Sequence, residues 1–115
     1  MGVANLVNAR SEPRLVLVTC DKLREARRIA GRVVGQKLAA CVNLLPGPVE
    51  SIYRWQGKVE KAREWLLVIK TTQRRLPALE KEVKRLHSYD VPEFIVLPID
   101  SGSKDYLGWL ARSVD

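Results

Sequence analysis

Gly57-Lys-Val-Glu-Lys-Ala-Arg-Glu-Trp-Leu-Leu-Val-Ile-Lys-Thr-Thr72 is the stretch on which the reading of the fold turns. From Lys58 to Thr72 it contains neither Gly nor Pro. Its first half, Val59 to Glu64, is charge-rich, as a solvated or edge strand would be. Its second half, Trp65 to Ile69, is continuously apolar and reads as a central strand. Taken wholly as strand, the run spans about 50 Å at roughly 3.3 Å per residue. A globule of this chain's 115 residues is only about 35 Å across. The hairpin should therefore overhang its own domain. An unpaired overhang is an aggregation hazard unless another chain pairs with it, so the sequence predicts an oligomer.

Upstream, Gly57-Lys58 supplies a hairpin turn, and Val49 to Gln56, with Ile52, Tyr53 and Trp55, reads as the partner strand. Pro46-Gly47-Pro48 interrupts regular hydrogen bonding after the short apolar run Leu38 to Leu45. Leu23, Ala26, Ile29, Ala30, Val33 and Val34 keep helical spacing, with Asp21 at the expected N-cap and Glu25 in the first turn. The opposite face carries Arg24, Arg27, Arg28 and Arg32, which reads as a solvated face before it reads as a phosphate-binding one. Arg14 to Cys20 is a β-branched run and a buried strand.

Downstream, Gln73 to Leu86 returns to helical spacing, with Pro77 tolerated in the first turn. Phe94 to Leu97 reads as a short buried strand closed by Pro98, and Tyr106 to Leu110 as a short amphipathic helix. The order is that of an α+β, ferredoxin-like βαββαβ sandwich with a long β-hairpin and a short C-terminal helix. Residues 1–13 read as a flexible leader and residues 14–115 as one domain. That plan hosts many functions and decides none of them.

Composition narrows the classes. Twenty Lys and Arg against thirteen Asp and Glu give a net charge of +7, a balance that concerns solubility and non-specific attraction to anions. Two cysteines form no disulfide framework and suggest a reducing compartment. No signal-peptide core, myristoylation motif or membrane-length apolar run is present, so a cytoplasmic protein is expected.

Nor is there a P-loop, dinucleotide fingerprint, nucleophile elbow or H-E-x-x-H. The single histidine, His87, excludes a one-chain site needing two imidazoles. It reads as a structural residue or as a ligand or acid/base group. Cys41 and Cys20 read as buried hydrophobes or as thiols that could join His87 and a carboxylate such as Glu93 around copper or zinc. Tyr53-Arg-Trp55 lies on a strand as in RNA-recognition modules, but the basic Gly-aromatic signature of those modules is missing. Specific nucleic-acid binding is not expected.

Several ordered blocks together carry a resemblance. Leu38-Ala-Ala-Cys-Val-Asn43, Ser51-Ile-Tyr-Arg-Trp-Gln-Gly-Lys-Val-Glu60, Lys70-Thr71, His87-Ser-Tyr-Asp-Val-Pro-Glu93 and Tyr106-Leu-Gly-Trp109 resemble the CutA divalent-cation tolerance proteins. The likeness covers roughly residues 14–112. It implies a ferredoxin-like protomer in a homotrimer, without enzymatic activity, acting in tolerance to copper and other divalent metals. It also implies similarity to the PII signalling trimers, and so a sensor alternative in which a cleft between subunits takes a small anionic ligand. The cleft positions it implies are Cys41, Tyr53, Trp55, Glu60, Lys70, Tyr89, Glu93 and Trp109, with Lys70 as the fixed positive charge. The same residues would also serve simply to cement a trimer. Cys41 and His87 are the candidate ligands for copper or another divalent metal, which folding would not require. The family usually has Pro where Ser88 stands, and some members carry adjacent histidines where this chain has Leu86-His87.

Overall fold

The computed structural model describes residues 11–115. The leader expected over residues 1–13 therefore lies, for residues 1–10, outside the described residues. Pro13 already opens β1 (Pro13–Cys20), and α1 (Leu23–Gly35) follows it. Then come β2 (Cys41–Leu44), β3 (Val49–Trp55) and β4 (Lys58–Thr72). A 3-10 turn (Gln73–Arg75) leads into α2 (Leu76–Leu86), and β5 (Ile95–Pro98) and α3 (Lys104–Ser113) complete the chain.

β4 organises the molecule. Its inner half lies antiparallel between β1 and β2, with Ile69 opposite both Val16 and Val42. Its outer half pairs with β3 alone, from Val49↔Glu64 to Trp55↔Lys58. β5 pairs with the other side of β1, giving the order β2-β4-β1-β5. This is the ferredoxin-like sheet, with its second strand split into β2 and β3 where Pro46 and Pro48 withhold their N–H groups. At the hairpin tip, Gln56 (φ 50°) and Gly57 (φ 79°) form a two-residue turn of the left-handed kind that matches strand twist. The hairpin overhangs as expected: the chain measures 52 × 26 × 25 Å, with a radius of gyration of 15.3 Å.

Strand alternation sorts the side chains between two faces. Val16, Val18 and Cys20 of β1 and Leu67 and Ile69 of β4 form the core with Ala26, Ile29 and Val33 of α1 and Leu79, Val83 and Leu86 of α2. The opposite face, which carries Leu15, Leu17, Thr19, Leu66, Val68 and Lys70, bears, among the described residues, no helix except α3 at one end. α3 is capped by Ser103, whose Oγ accepts from the Tyr106 N–H at 3.0 Å. It is tied down at its far end, where Arg75 Nε donates to the Val114 carbonyl at 2.6 Å.

Four local expectations need correction. β5 is not buried: Ile95, Val96 and Leu97 are 39–48% exposed, because the strand forms a sheet edge with a neighbour on one side only. The residue at the N-cap of α1 is Lys22, without a side-chain cap, rather than Asp21. The second helix begins as the 3-10 turn, and the terminal helix is twice the expected length. α1 ends in a Schellman motif, with Leu38 N–H on the Val33 carbonyl (2.9 Å), Lys37 N–H on the Val34 carbonyl (3.0 Å) and Lys37 at φ 59°.

Candidate functional site

Where β1 and α2 end, three side chains of different chemistry meet. His87 follows the last turn of α2 in extended conformation, which turns its ring back under β1 until the side chain is wholly buried. The Tyr89 N–H donates to His87 Nδ1 at 3.0 Å, so the ring proton belongs on Nε2, which donates to the Thr19 carbonyl at 2.7 Å. Cys20 Sγ lies 3.7 Å from Nε2, and Glu25 Oε2 lies 3.5 Å from Nδ1. Glu25 Oε2 also accepts from the N–H and hydroxyl of Ser88, at 3.3 and 3.2 Å. Burial pushes the Cys20 thiol up to about 12, helped by the charges of Glu25, Asp21 and Glu64. The thiol therefore keeps its proton at neutral pH.

Tyr89 links this cluster to a cleft on the other face of the sheet. Its ring lies 4.7 Å from that of His87, and its hydroxyl donates to Glu64 Oε2 at 2.9 Å. Glu64 is 7% exposed and lines a cleft of about 580 Å³ with Tyr89, Asp90 and Glu93 on one side and Tyr53 and Trp55 of the hairpin on the other. Among the described residues, no Lys or Arg lines it. Burial, and then the Glu64 carboxylate, raise the Glu93 carboxyl above its ordinary value. Burial and the bond to Glu64 likewise raise the Tyr89 phenol.

The residues expected in one cleft fall into two groups within the chain. Tyr53, Trp55, Tyr89 and Glu93 line the cleft, and Glu60 stands beside it, opposite Tyr53 in the β3–β4 ladder. Cys41, Lys70 and Trp109 belong to the other end of the sheet. Lys70 is six residues further along β4 than Glu64, or about 20 Å. Lys70 Nζ donates to Asn43 Oδ1 at 2.6 Å and stands 5.8 Å over the Tyr106 ring, which packs on Trp109 at 5.3 Å. Cys41 Sγ lies 3.9 Å from Asn43 Oδ1. Cys41 shares the helix-poor face with Lys70, whereas His87 packs under the helix-bearing face, so the expected metal pair does not meet within one chain.

Sequence reasoning weighed a cysteine, Cys41 or Cys20, with His87 and a carboxylate, but named Glu93 where the structure brings Glu25, and it did not single out Glu64. Val16, Val18 and Cys20 share a face by alternation, and Glu25 lies one turn inside α1. Only the docking of the chain after α2 brings His87 to them.

Comparison with known proteins decides the family. Residues 14–113 match the family described as "CutA1 divalent ion tolerance protein". The chain belongs to this family. A rice relative, "Protein CutA 1, chloroplastic", is 50% identical over 99 residues, covering 86% of this chain and 55% of its own length. The chain thus spans about half of that curated relative. The solved CutA1 structure from Thermus thermophilus superimposes with a TM-score of 0.87 at 47% identity, covering 90% of this chain and 99% of that one. The Archaeoglobus fulgidus structure gives 0.86 at 38%, with coverage of 90% and 99%. CutA1 relatives are named for tolerance rather than for a reaction. The cytoplasmic expectation is corrected by the same relatives: the Archaeoglobus protein is described as periplasmic and the rice protein as chloroplastic. Among the described residues, no helix is long and apolar enough to cross a membrane.

Proposed function

We propose that this CutA1 family member is a non-enzymatic homotrimer of the divalent-metal response that binds copper through Cys20, Glu25 and His87. The observation that carries the metal reading is the meeting of these three. Their ligand atoms lie within 4.8 Å of one another, the one such group of three or more among the described residues. Sulfur, imidazole nitrogen and carboxylate oxygen together suit a soft or borderline ion such as copper or zinc. The donor set fits by type and spacing. To take an ion, His87 Nε2 must release the Thr19 carbonyl and Cys20 must lose its proton, which selects for a thiophilic metal.

The trimer is supported by the overhang. Ile52, Tyr53, Trp55 and Val59 on the hairpin are 44–65% exposed, and β5 leaves an apolar edge. Both are surfaces that another copy would cover. The anion-sensor alternative has less behind it, because Lys70 does not line the cleft and is already engaged with Asn43.

The test is a copper titration of demetallated protein under thiol-protecting conditions, with the oligomer mass read in the same sample. Saturation at a fixed ratio per trimer is expected, and its loss in both Cys20→Ser and His87→Gln. No saturable binding, or binding unchanged in both variants, overturns the copper site. Loss with Cys41→Ser instead would move the metal to a boundary between subunits. A mass of one subunit refutes the trimer.

A further inference from the structure

We propose that the outward face of α1 docks on the phosphate backbone of duplex DNA, without regard to base sequence, through Arg24, Arg27, Arg28 and Arg32. The site stands or falls independently of copper binding. It also lies apart from the hairpin and the β5 edge, the surfaces that a second copy would cover. α1 packs over β1, β2 and β4 through Ala26, Ile29 and Val33, and the four arginines occupy its other side.

The first ground is unpaired charge. All four arginines are exposed, and among the described residues none of them forms an ion pair. The basic residues of α2 are placed differently: Lys84 meets Glu80 and Arg85 meets Glu82, both at 2.7 Å. Glu25, the only acid of α1, is turned to Ser88 and His87. Glu82, across the helix pair, is held by Arg85 and Gln36 and feels Arg32 only through space. Ahead of the helix, Asp21 and Lys22 cancel in charge. Arg24, Arg28 and Arg32 recur every four residues, so like charges stand about 6 Å apart along one side. Such a row weakens a helix, and a polyanion laid along it removes the repulsion.

The second ground is the bare backbone among these arginines. By the 100° step of the helix, Gly31 and Gly35 fall between Arg27 on one flank and Arg28 and Arg32 on the other. Both glycines are exposed, and a Cβ at either would meet no atom within 4 Å. Packing inside the fold therefore does not require glycine there, although glycine weakens a helix relative to alanine. What the missing side chains do provide is close approach by a partner that the flanking guanidinium groups can grip.

The same face selects among polyanions. Single strands are held by stacking bases on aromatic rings, and α1 has no aromatic residue. Membrane-surface helices bury a broad apolar side, whereas the only large apolar residue exposed on α1 is Val34. A duplex needs neither, since it offers one phosphate charge per roughly 1.7 Å of axis. B-DNA opens a groove about 12 Å wide, whereas A-form RNA narrows it. Only the open groove lets guanidinium groups on both flanks of one helix each reach a phosphate wall. Glycine at the apex reads no base edge, so the docking carries no sequence preference.

The test is fluorescence anisotropy of a labelled DNA duplex of about 20 base pairs, two helical turns, titrated with the intact protein. Four phosphate contacts predict a slope of log K against log salt of about −3.6, a loss of about a hundredfold between roughly 50 and 200 mM salt. Arg24→Gln combined with Arg28→Gln should halve that slope and weaken binding at low salt at least tenfold. Lys58→Gln combined with Lys104→Gln removes the same charge elsewhere and should change affinity less than twofold. Gly31→Leu, which keeps every charge, should also weaken binding. An equal loss in the two double variants would reduce the effect to net charge and overturn the proposal. Undetectable binding at low salt, or an unchanged affinity in both α1 variants, would overturn it too. So would tighter binding of the single strand, of the RNA duplex, or of vesicles of equimolar phosphatidylserine and phosphatidylcholine. A lower oligomer mass in the arginine variant would make the face a subunit contact instead.

Discussion

His87→Ala should destabilise the metal-free protein by about 3–5 kcal/mol. The magnitude follows from what the ring holds. Removing it leaves the Thr19 carbonyl and the Tyr89 N–H without their partners, at 2.7 and 3.0 Å respectively. Orphaning the buried Thr19 carbonyl costs about 1–3 kcal/mol, and orphaning the part-buried Tyr89 N–H about 1 kcal/mol. The void left by a fully buried imidazole adds roughly another 1 kcal/mol. Domains of this size have about 5–15 kcal/mol in total, so the variant should still fold, with a clearly lower denaturation midpoint. The assay is urea unfolding in the presence of a chelator, at a fixed subunit concentration because association contributes to apparent stability. His87→Gln, which keeps one donor and one acceptor, should recover part of the loss. A change below about 1 kcal/mol without metal would refute the structural role given to the ring. A loss seen only when copper is present would make His87 a ligand first and a hydrogen-bonding pin second.

Other perturbations test the scaffold. Gly57→Ala meets no atom within 4 Å but must hold φ 79°, so it should cost about 1 kcal/mol through backbone strain alone; amide exchange should quicken in the hairpin and not in the helices. Lys37→Gly removes the same strain at φ 59° and should stabilise by roughly 0.5–1 kcal/mol, read as a raised urea midpoint. The Glu82 carboxyl is lowered from 4.5 to about 2 by hydrogen bonds from Arg85 and Gln36. Its ionised form therefore contributes stability that is complete above pH 4.5 and lost as pH falls towards 2. In Glu82→Gln that part of the acid slope should be missing, and an unchanged slope would contradict the assignment.

Much of this architecture was written in local chemistry. Lys58 to Thr72 holds no residue that breaks a strand, and that alone implied the overhang. Pro46-Gly47-Pro48 marked the split in the second strand. Failures came where the outcome depends on distant partners. Phe94-Ile-Val-Leu97 is apolar enough for a core strand, but apolarity does not tell a buried strand from an edge. Glu64 sits among Lys61, Arg63 and other charged residues and reads as solvated. It is buried because Tyr89, twenty-five residues away, reaches it across the end of the sheet. The cleft residues were readable only through family likeness, and the chain divides them between two places. Alternation on β4 puts Glu60, Glu64 and Lys70 on one face, but it says nothing of which neighbouring segment covers each.

The uninterrupted β4 also has a mechanical meaning. Its inner half is clamped between β1 and β2, while its outer half pairs, among the described residues, with β3 alone. The seven residues from Lys58 to Glu64 make an arm of about 24 Å. A tilt of about 10° where Glu64 meets Trp65 would swing the Gln56–Gly57 tip by about 4 Å. The buried carboxylate sits at the fulcrum of that arm, so small rearrangements around it are magnified at the far end.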